Sequence, residues 1–466
     1  MRFWLLASLL LLTTNLIQAE DALDGFDDML DGFSEIEAPT PSLQNSEQQN
    51  RDTLSFKGEV STKLGYGSRE HSVDGISYSG LNQAQLGLYL QLDYKIDTNW
   101  ELRVSGDGFY DAFYTLRKQD YNTDVINTYE TQLRFDDVYI QGSLSKNVDV
   151  KLGRQIVVWG KSDSIRITDV INPLDNRLPG ITDIKDLRLP TSMAKLDYYS
   201  GAWNLSAMAI FESRIFLEPA VRGEFFPVDA VFPNAPRPFI ELREPESRFE
   251  EIQYALALNG IFSGWDLSFY ASHVYDSRWH LEGTLPDASR AVSHIDMLGA
   301  ATNIALGSWL IKSEFAYIDS LRYNSTEKTK SRLDALIGFD YMGFDDTQIS
   351  LEIANRHIFS HEAQMSGYTP GFVPDYVQED EVQTAIRFTR DFMHDTLTFT
   401  AFANLLGHNW EYGGLLRNTL EYEISDNLSA TVGFIDYITP ANSLDKPFAN
   451  AIADNDRVFG ELVYSF

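Results

Sequence analysis

Ten residues between positions 154 and 188 carry the side chains best suited to specific chemistry in this chain. They interleave basic and acidic groups at short spacing and add one tryptophan and one asparagine. The set is Arg154, Trp159, Lys161, Asp163, Arg166, Asp169, Asn172, Asp175, Arg177 and Arg188. Opposite charges so closely placed can pair with one another and with residues packed around them, or can contact a polar solute. Both interpretations stay open on the sequence alone.

Constellations typical of enzymes and metal centres do not occur in the sequence. His357 and His361 are four residues apart, but they follow an apolar alternation typical of a strand, so helical metal spacing does not apply. There is no Gly-x-Ser-x-Gly elbow and no glycine-rich phosphate loop. The chain has no cysteine, and its net charge of −31 disfavours nucleic acid as a partner. We therefore predict that it is not an enzyme and that it holds no cofactor and no metal.

The elements that must position these charged residues have a period of two. In residues 86–93, leucine at each even position alternates with glycine, tyrosine, glutamine and aspartate at the odd positions. Such alternation is typical of a strand with one apolar face, and many of these segments are long enough to cross a membrane when tilted. About 18 segments fit the pattern, which predicts an all-β, transmembrane antiparallel barrel of 16–18 strands. They lie near 54–66, 81–97, 99–115, 129–144, 147–158, 192–199, 202–213, 249–262, 265–276, 293–307, 309–319, 331–342, 346–357, 379–391, 395–406, 413–424, 427–436 and 456–466.

Connections between the segments alternate between short and long. Bacterial outer-membrane barrels have short periplasmic turns and long external loops, so an even strand count places both termini in the periplasm. Trp203, Trp265 and Trp309 each begin a segment, as the aromatic girdles of such barrels would require. The sequence therefore predicts residence in the Gram-negative outer membrane, in contact with its lipids and lipopolysaccharide.

The N-terminal 53 residues have a different composition. A basic residue, a short apolar run and a small residue at Ala19 predict a secretory signal peptide over 1–19. Residues 20–53 are acidic and predict a flexible periplasmic tail before the barrel at 54–466. Phe26 and Phe33 repeat at a seven-residue interval within similar acidic units, which favours either a solvated linker or a docking peptide for a periplasmic partner.

The C-terminal segment ends in an aromatic residue. Gly460, Leu462, Tyr464 and Phe466 fall in one phase of the last predicted strand. This pattern resembles the signal that the outer-membrane assembly machinery reads, and it predicts that machinery as a partner.

The charged segment is the place where the strand period fails. Arg154 shares the phase of Val150 and Leu152, and an arginine facing mid-bilayer would cost roughly 2–4 kcal/mol. Either Arg154 lies at the outer interface, or the chain leaves the wall after Gly153 and turns inward. Since residues 156–159 are apolar on both faces, we favour the inward turn. Residues 159–191 are then an in-folded third external loop that constricts or plugs the barrel.

Four runs of this segment resemble the hallmark of a family of outer-membrane proteins labelled as a domain of unknown function. They are residues 153–160, 169–175, 178–180 and 187–190. Genes of that family often stand beside exporters of the resistance-nodulation-division (RND) class and a periplasmic partner. The resemblance implies a role in moving hydrophobic or lipid-like molecules across the envelope.

Three functions remain as alternatives at this point. The first is a transport conduit for hydrophobic or lipid-like molecules that works with an RND-type exporter. The second is a passive diffusion porin for small solutes. The third is a structural or docking barrel with a closed lumen. A plugged lumen with an apolar lateral groove would favour the first, an open, charge-lined eyelet the second, and a filled lumen with an ordered tail the third.

Overall fold

A computed structural model describes residues 53–182, 184–232, 236, 239–243, 245, 251–283, 288–367 and 375–466. The predicted signal peptide and almost all of the predicted tail, including Phe26 and Phe33, lie outside these residues. Their roles therefore stay predictions.

The described chain forms one closed antiparallel sheet of 18 strands, as the period of two predicts. Each strand pairs with its neighbours along the chain, and the last strand pairs with the first. We number the barrel strands in chain order as β1 (Leu54–Gly67), β2 (Gly80–Lys95), β3 (Trp100–Asp111), β4 (Thr131–Ser145), β5 (Val148–Gln155), β6 (Thr191–Ser200), β7 (Trp203–Ile210), β8 (Gln253–Phe262), β9 (Trp265–Tyr275), β10 (His294–Leu306), β11 (Trp309–Tyr323), β12 (Thr326–Phe344), β13 (Thr347–Ile358), β14 (Asp380–Phe392), β15 (Leu397–Leu406), β16 (Gly414–Ser425), β17 (Leu428–Ile438) and β18 (Arg457–Ser465).

The alternation along each strand separates an apolar outer face from a mixed inner face. Leu86, Leu88 and Leu90 of β2 are 57%, 46% and 38% exposed on the outside of the wall. On the inside of β11, by contrast, Lys312, Glu314 and Ala316 are almost fully buried. A wall with exposed leucines and buried charges is the reverse of a soluble protein, and it suits a hydrocarbon solvent.

The two ends of the barrel differ in their connections. After each even-numbered strand up to β16 the connection is two to four residues long, and both barrel termini lie at this end, which we call the turn end. The opposite end, the loop end, carries the longer connections, including residues 156–190 and 211–252. One connection at the loop end departs from the alternation, because only Asn324 and Ser325 join β11 to β12.

Short elements occupy the connections at the loop end. Among the described residues of these connections, four elements are helices, at Phe113–Arg117, Thr123–Tyr129, Val228–Val231 and Pro447–Ala451. Two are 3-10 turns, at Ile184–Leu187 and Ala363–Met365, and two are small hairpins, Ser72–Val73 with Ile76–Ser77 and His280–Glu282 with Ser289–Ala291. No helix in the described ranges has the length and apolar character needed to cross a membrane.

The strands of the wall are short on both sides of the charged segment. β5 and β7 have 8 residues each, whereas β11 has 15 and β12 has 19. The predicted fifth strand (147–158) is therefore three residues too long at its loop end, because the chain leaves the sheet after Gln155.

Candidate functional site

Residues 156–190, which we call the in-folded segment, leave the wall after β5 and return to it at β6. Asn172, only 1% exposed, joins the two ends of this excursion. Its side-chain oxygen accepts a hydrogen bond from the Val157 backbone N–H at 2.8 Å, and its amide donates to the Leu189 carbonyl at 2.8 Å. The same amide also donates to the Gln155 carbonyl at 3.3 Å, so Asn172 closes the base of the segment through partners 17 residues away on each side.

The first residues of the in-folded segment enter the barrel and pack on the opposite inner wall. Trp159 stacks on Tyr270 of β9, with ring centroids 4.8 Å apart. Ile165 and Ile167 are 1% and 3% exposed and join a buried apolar cluster with inward-facing residues such as Met297. Residues 156–159 are apolar on both faces, but only Val157 and Trp159 are buried. Ile156 and Val158 are 38% and 43% exposed, because only alternate side chains reach the core.

Residues 160–168, which we call the tip, are gripped by two buried glutamates of the wall. Glu314 of β11 accepts hydrogen bonds from the backbone N–H groups of Lys161 and Ser162, at 2.5 and 2.6 Å, and from the Thr168 hydroxyl at 2.9 Å. Glu352 of β13 accepts from the N–H groups of the next three residues, 163–165, at 2.7 to 3.1 Å. Carboxylates that accept several N–H groups are strongly held, so the tip is fixed to β11 and β13.

Gly160 makes this grip possible. Its φ is +92°, a conformation that other residues rarely adopt, and a Cβ placed on it would lie 2.8 Å from both Glu314 carboxylate oxygens. The glycine that precedes the lysine of the Trp-Gly-Lys run is therefore required by the close approach of the Glu314 carboxylate.

Two lysines add ion pairs between the tip and the wall. Lys161 pairs with Asp266 of β9 at 2.9 Å. Lys312 of β11, 1% exposed, lies between Asp163 of the tip and Asp340 of β12, and its Nζ is 2.6 Å from the Asp340 carboxylate. The two carboxylates compensate the charge of the buried ammonium. Loss of the lysine, or of both carboxylates, would therefore leave an unpaired buried charge.

A second charged group lies within the in-folded segment itself. Asp169, whose side chain is 3% exposed, accepts from Arg166 at 3.0 Å and from Arg188 at 2.9 Å. Arg166 also donates to the Asn172 carbonyl at 2.8 Å. These charges therefore pair with one another within the segment.

Residues 173–181, which we call the arm, run towards other parts of the wall. Arg177 pairs with Asp175 at 2.5 Å and donates to the Gln132 side chain of β4 at 2.6 Å. Further on, the Tyr437 hydroxyl of β17 donates to the Pro179 carbonyl at 2.6 Å, and Arg417 of β16 donates to the Ile181 carbonyl at 3.0 Å. The in-folded segment therefore crosses the lumen, with its tip on β9 to β13 and its arm on β4, β16 and β17.

Arg154 lies apart from the other charged residues. It is the penultimate residue of β5, and it pairs with Glu212, which follows β7, at 2.5 Å. Its Nη1 also donates to the Phe135 carbonyl of β4 at 3.3 Å. The chain turns inward two residues later than the predicted point after Gly153, so Arg154 occupies the loop-end rim of β5 and not the lumen.

The C-terminal residues of the predicted assembly signal face outward on the closing strand. Leu462, Tyr464 and Phe466 are about half exposed, and the Phe466 N–H donates to the Gly58 carbonyl at 2.9 Å. Gly460 pairs with Leu64 and Val432 in the same row. Recognition by the assembly machinery stays a prediction.

Sequence reasoning missed the wall partners Lys312, Glu314 and Glu352. The sequence contains a signal for the two residues of β11. Lys312 and Glu314 hold inward positions, in phase with Ala316 and Ile318. Their partners in the tip are about 150 residues away in the chain, so no local pattern could pair them.

A second loop covers the arm. Phe225, in the connection of residues 211–252, packs with Leu178 and Ile181 of the arm and with Tyr437. The neighbouring Glu224 pairs with Arg457 at 2.6 Å and with His71 at 3.2 Å. Burial raises the pKa of the Glu224 carboxyl, but Arg457 and His71 outweigh this effect and hold that pKa below its ordinary value.

Known structures with this architecture are outer-membrane barrels. OccAB4 of Acinetobacter baumannii aligns with a TM-score of 0.50 and 10% identity, over 90% of this chain and 100% of that one. OpdL of Pseudomonas aeruginosa aligns at 0.48 and 12%, over 89% and 98% of the two chains, and OmpF of Salmonella typhi at 0.43 and 9%, over 89% and 97%. At such identities the likeness concerns the fold alone.

No curated protein matches the sequence. A family model does match it, over residues 36–466, and its description is "Protein of unknown function (DUF1302)". The match covers far more than half of the 466 residues. The chain thus has the fold of outer-membrane β-barrels, and it belongs to the DUF1302 family.

Proposed function

We propose that this barrel is a transport conduit for hydrophobic or lipid-like molecules, and that it works with an RND-type exporter and a periplasmic partner. In this proposal the turn end faces the periplasm and the tail with Phe26 and Phe33 recruits the partner. The barrel itself carries cargo and catalyses no reaction.

The observation that carries the proposal is the way in which the in-folded segment packs across the lumen. The charged side chains of its tip and arm, together with Asp169 and Arg188, form ion pairs with the wall or with one another, and its core is apolar. Val157, Trp159 and Ile165 pack on small or apolar inward residues, among them Ala301 and Ala316. A general porin needs an open eyelet lined by free charges, whereas an apolar interior favours apolar cargo.

One observation favours the alternative of a passive porin. Charged inward residues of β1, β2, β3 and β18 are partly exposed. Arg103 and Asp93 form a pair whose side chains are 32% and 24% exposed, and Lys63 pairs with Glu461 at 40% and 27%. Such a polar lining would suit a small charged solute up to the level of the in-folded segment.

The test uses the purified full-length protein in liposomes and in planar bilayers. A lysophosphatidylcholine with a fluorescent acyl chain is placed in both leaflets, and albumin, which is too large to enter the barrel, extracts it from the outer leaflet. The proposal expects a protein-dependent extraction of the inner-leaflet probe and no steady ion conductance. Stepwise conductance without transfer of the probe would contradict the conduit and support a porin.

A further inference from the structure

We propose that the wall contains a lateral portal between β4 and the short strands β5 to β7, and that the arm is its gate. The portal would let an amphiphile with an acyl chain pass between the lumen and the leaflet at the loop end. The inference rests on the proposed conduit function and specifies its route.

The portal begins where the pairing of β4 with β5 stops. The last paired residues are Val138 and Arg154. Beyond them, residues 131–135 of β4 still pair with β3, but the other edge of residues 131–137 has no strand partner in the described part of the chain. Had β5 continued in register, residues 156–161 would have covered this edge; instead they enter the barrel.

Local backbone geometry opens the two strands at this point. A β-bulge in β4 at Asp136 and Asp137 interrupts the register with β3 between Val104 and Gly106. Close to the bulge, Gly153 of β5 pairs with Tyr139 and has a φ of +130°, and a Cβ placed on it would lie 2.2 Å from the Val138 carbonyl oxygen. A bulge bends the strand that carries it, so β4 bends next to the point where its pairing with β5 ends.

Strand lengths place the gap within the membrane. The 8 residues of β5 extend about 27 Å, which a tilt of about 40° reduces to roughly 20 Å of height. The apolar band of an outer-membrane barrel is about 25 Å tall, so the loop-end rim of β5 lies inside it. With 15 residues, β4 rises roughly 40 Å and passes through the whole band.

The edges of the gap are apolar and open. Leu133 is 94% exposed, the highest value among the large apolar side chains of the described residues, and Phe135 is 65% exposed. Ile156 and Val158 line the path on which the chain turns inward, at 38% and 43%. A free strand edge in hydrocarbon is costly, because its backbone groups lack partners. An amphiphile matches this edge, since its acyl chain covers the apolar side chains and its head group can reach the backbone.

The arm stands behind the gap on the lumen side. Arg177 donates to the Gln132 side chain at 2.6 Å and to the Thr128 carbonyl at 3.1 Å, and Asp175 lies 3.5 Å from Arg134. These contacts are polar and only partly buried. They can be exchanged for contacts with a polar head group at little cost, which is what a gate requires.

The experiment locks the arm to β4. Because the chain has no cysteine, Gln132→Cys with Arg177→Cys introduces the only two thiols. A short bis-methanethiosulfonate reagent links them, and a reductant releases the link. The matched control is Thr389→Cys with Thr400→Cys, two inward residues of the intact wall whose hydroxyls are 3.4 Å apart.

In the albumin assay with the fluorescent lysolipid, the locked arm should slow transfer at least about fivefold, which corresponds to ~1 kcal/mol. Reduction should restore the rate, and the control lock should leave it unchanged. Heat-modifiable migration on gels checks that each variant is folded. If the wild type transfers the lysolipid and the locked arm transfers it equally fast, the portal is overturned while the conduit stands. A wild type that transfers none overturns both.

Discussion

The tip and the arm of the in-folded segment are adjacent in the chain but are held in different ways. The tip is bound by buried carboxylates that accept seven backbone or hydroxyl hydrogen bonds from residues 161–168, and by the fully buried Lys312. In the arm the ion pair of Arg177 with Asp175 is partly exposed, at 14% and 19%. The rest of the arm is held by hydrogen bonds to its backbone, from the buried side chains of Tyr437 and Arg417 and from pairing with Leu217. Buried charged contacts are costly to break and exposed ones are not.

This difference indicates that the two parts of the in-folded segment differ in how easily they can move. The proposed conduit would need an element that stays in the lumen and an element that moves. The tip meets the first need because its removal would leave Glu314 and Glu352 buried in the wall without their hydrogen bonds, and Lys312 without Asp163. The arm meets the second because its polar contacts have alternatives in water or in a cargo head group. Each prediction below compares the two.

The largest effect is expected from Lys312→Met. The substitution keeps the bulk of the side chain but leaves Asp340, 2% exposed, without its ammonium partner. An unpaired buried charge costs about 3–5 kcal/mol, so the free energy of unfolding in urea should fall by that amount. The control is Lys63→Met, whose pair with Glu461 is exposed and should contribute at most ~1 kcal/mol. Equal losses in the two variants would show that the tip is not a buried anchor.

The second comparison replaces one glycine in each region by alanine. Both Gly160 and Gly180 have positive φ, at +92° and +80°, so both variants carry backbone strain. In Gly160→Ala the new Cβ meets a carboxylate that hydrogen bonds hold in place, and the loss should reach about 1–3 kcal/mol. In Gly180→Ala it meets the end of the Leu415 side chain, which can rotate away, and the loss should be smaller. A thermal unfolding midpoint that falls further for Gly180→Ala would reverse the ranking of tip and arm.

The third prediction concerns the arm alone. Arg177→Ala should lower the free energy of unfolding by only about 1 kcal/mol, because its ion pair is partly exposed. It should nevertheless speed the transfer of the fluorescent lysolipid, since it removes the contacts that hold the arm to β4. The control is Arg103→Ala, which breaks a pair with Asp93 elsewhere on the inner wall. It should lower the free energy of unfolding by a similar amount and leave the transfer rate unchanged. A transfer rate unaltered by Arg177→Ala would leave the arm without a gating role.

How far the sequence predicts this architecture depends on the range of the interactions involved. The strands follow from a local period of two, and all 18 predicted segments overlap the strands of the barrel. The failure of that period at Arg154 also marks the residue where the wall opens. The free edge of β4 could not be predicted in the same way, because Leu133 and Phe135 alternate with polar residues like any paired strand. Whether an edge is covered depends on where the neighbouring chain goes, which no property of β4 encodes.

The smallest effect is expected at the cover of the arm, and it depends on pH. The pKa of Glu224 is lowered in the folded chain, in spite of its burial, by Arg457 and His71, so the carboxylate form stabilises the fold. This contribution is complete above the ordinary pKa of 4.5 and is lost as the pH falls through the lower folded value. The unfolding midpoint in urea should therefore decrease below about pH 4.5 in the wild type and decrease less in Glu224→Gln. The comparison is then repeated with Lys312→Met added to both proteins. The pH-dependent difference between their unfolding midpoints should be unchanged, because Glu224 lies in the cover of the arm and does not contact the tip. A difference that vanishes in this background would mean that tip and arm unfold as one unit, and the comparison between them would fail.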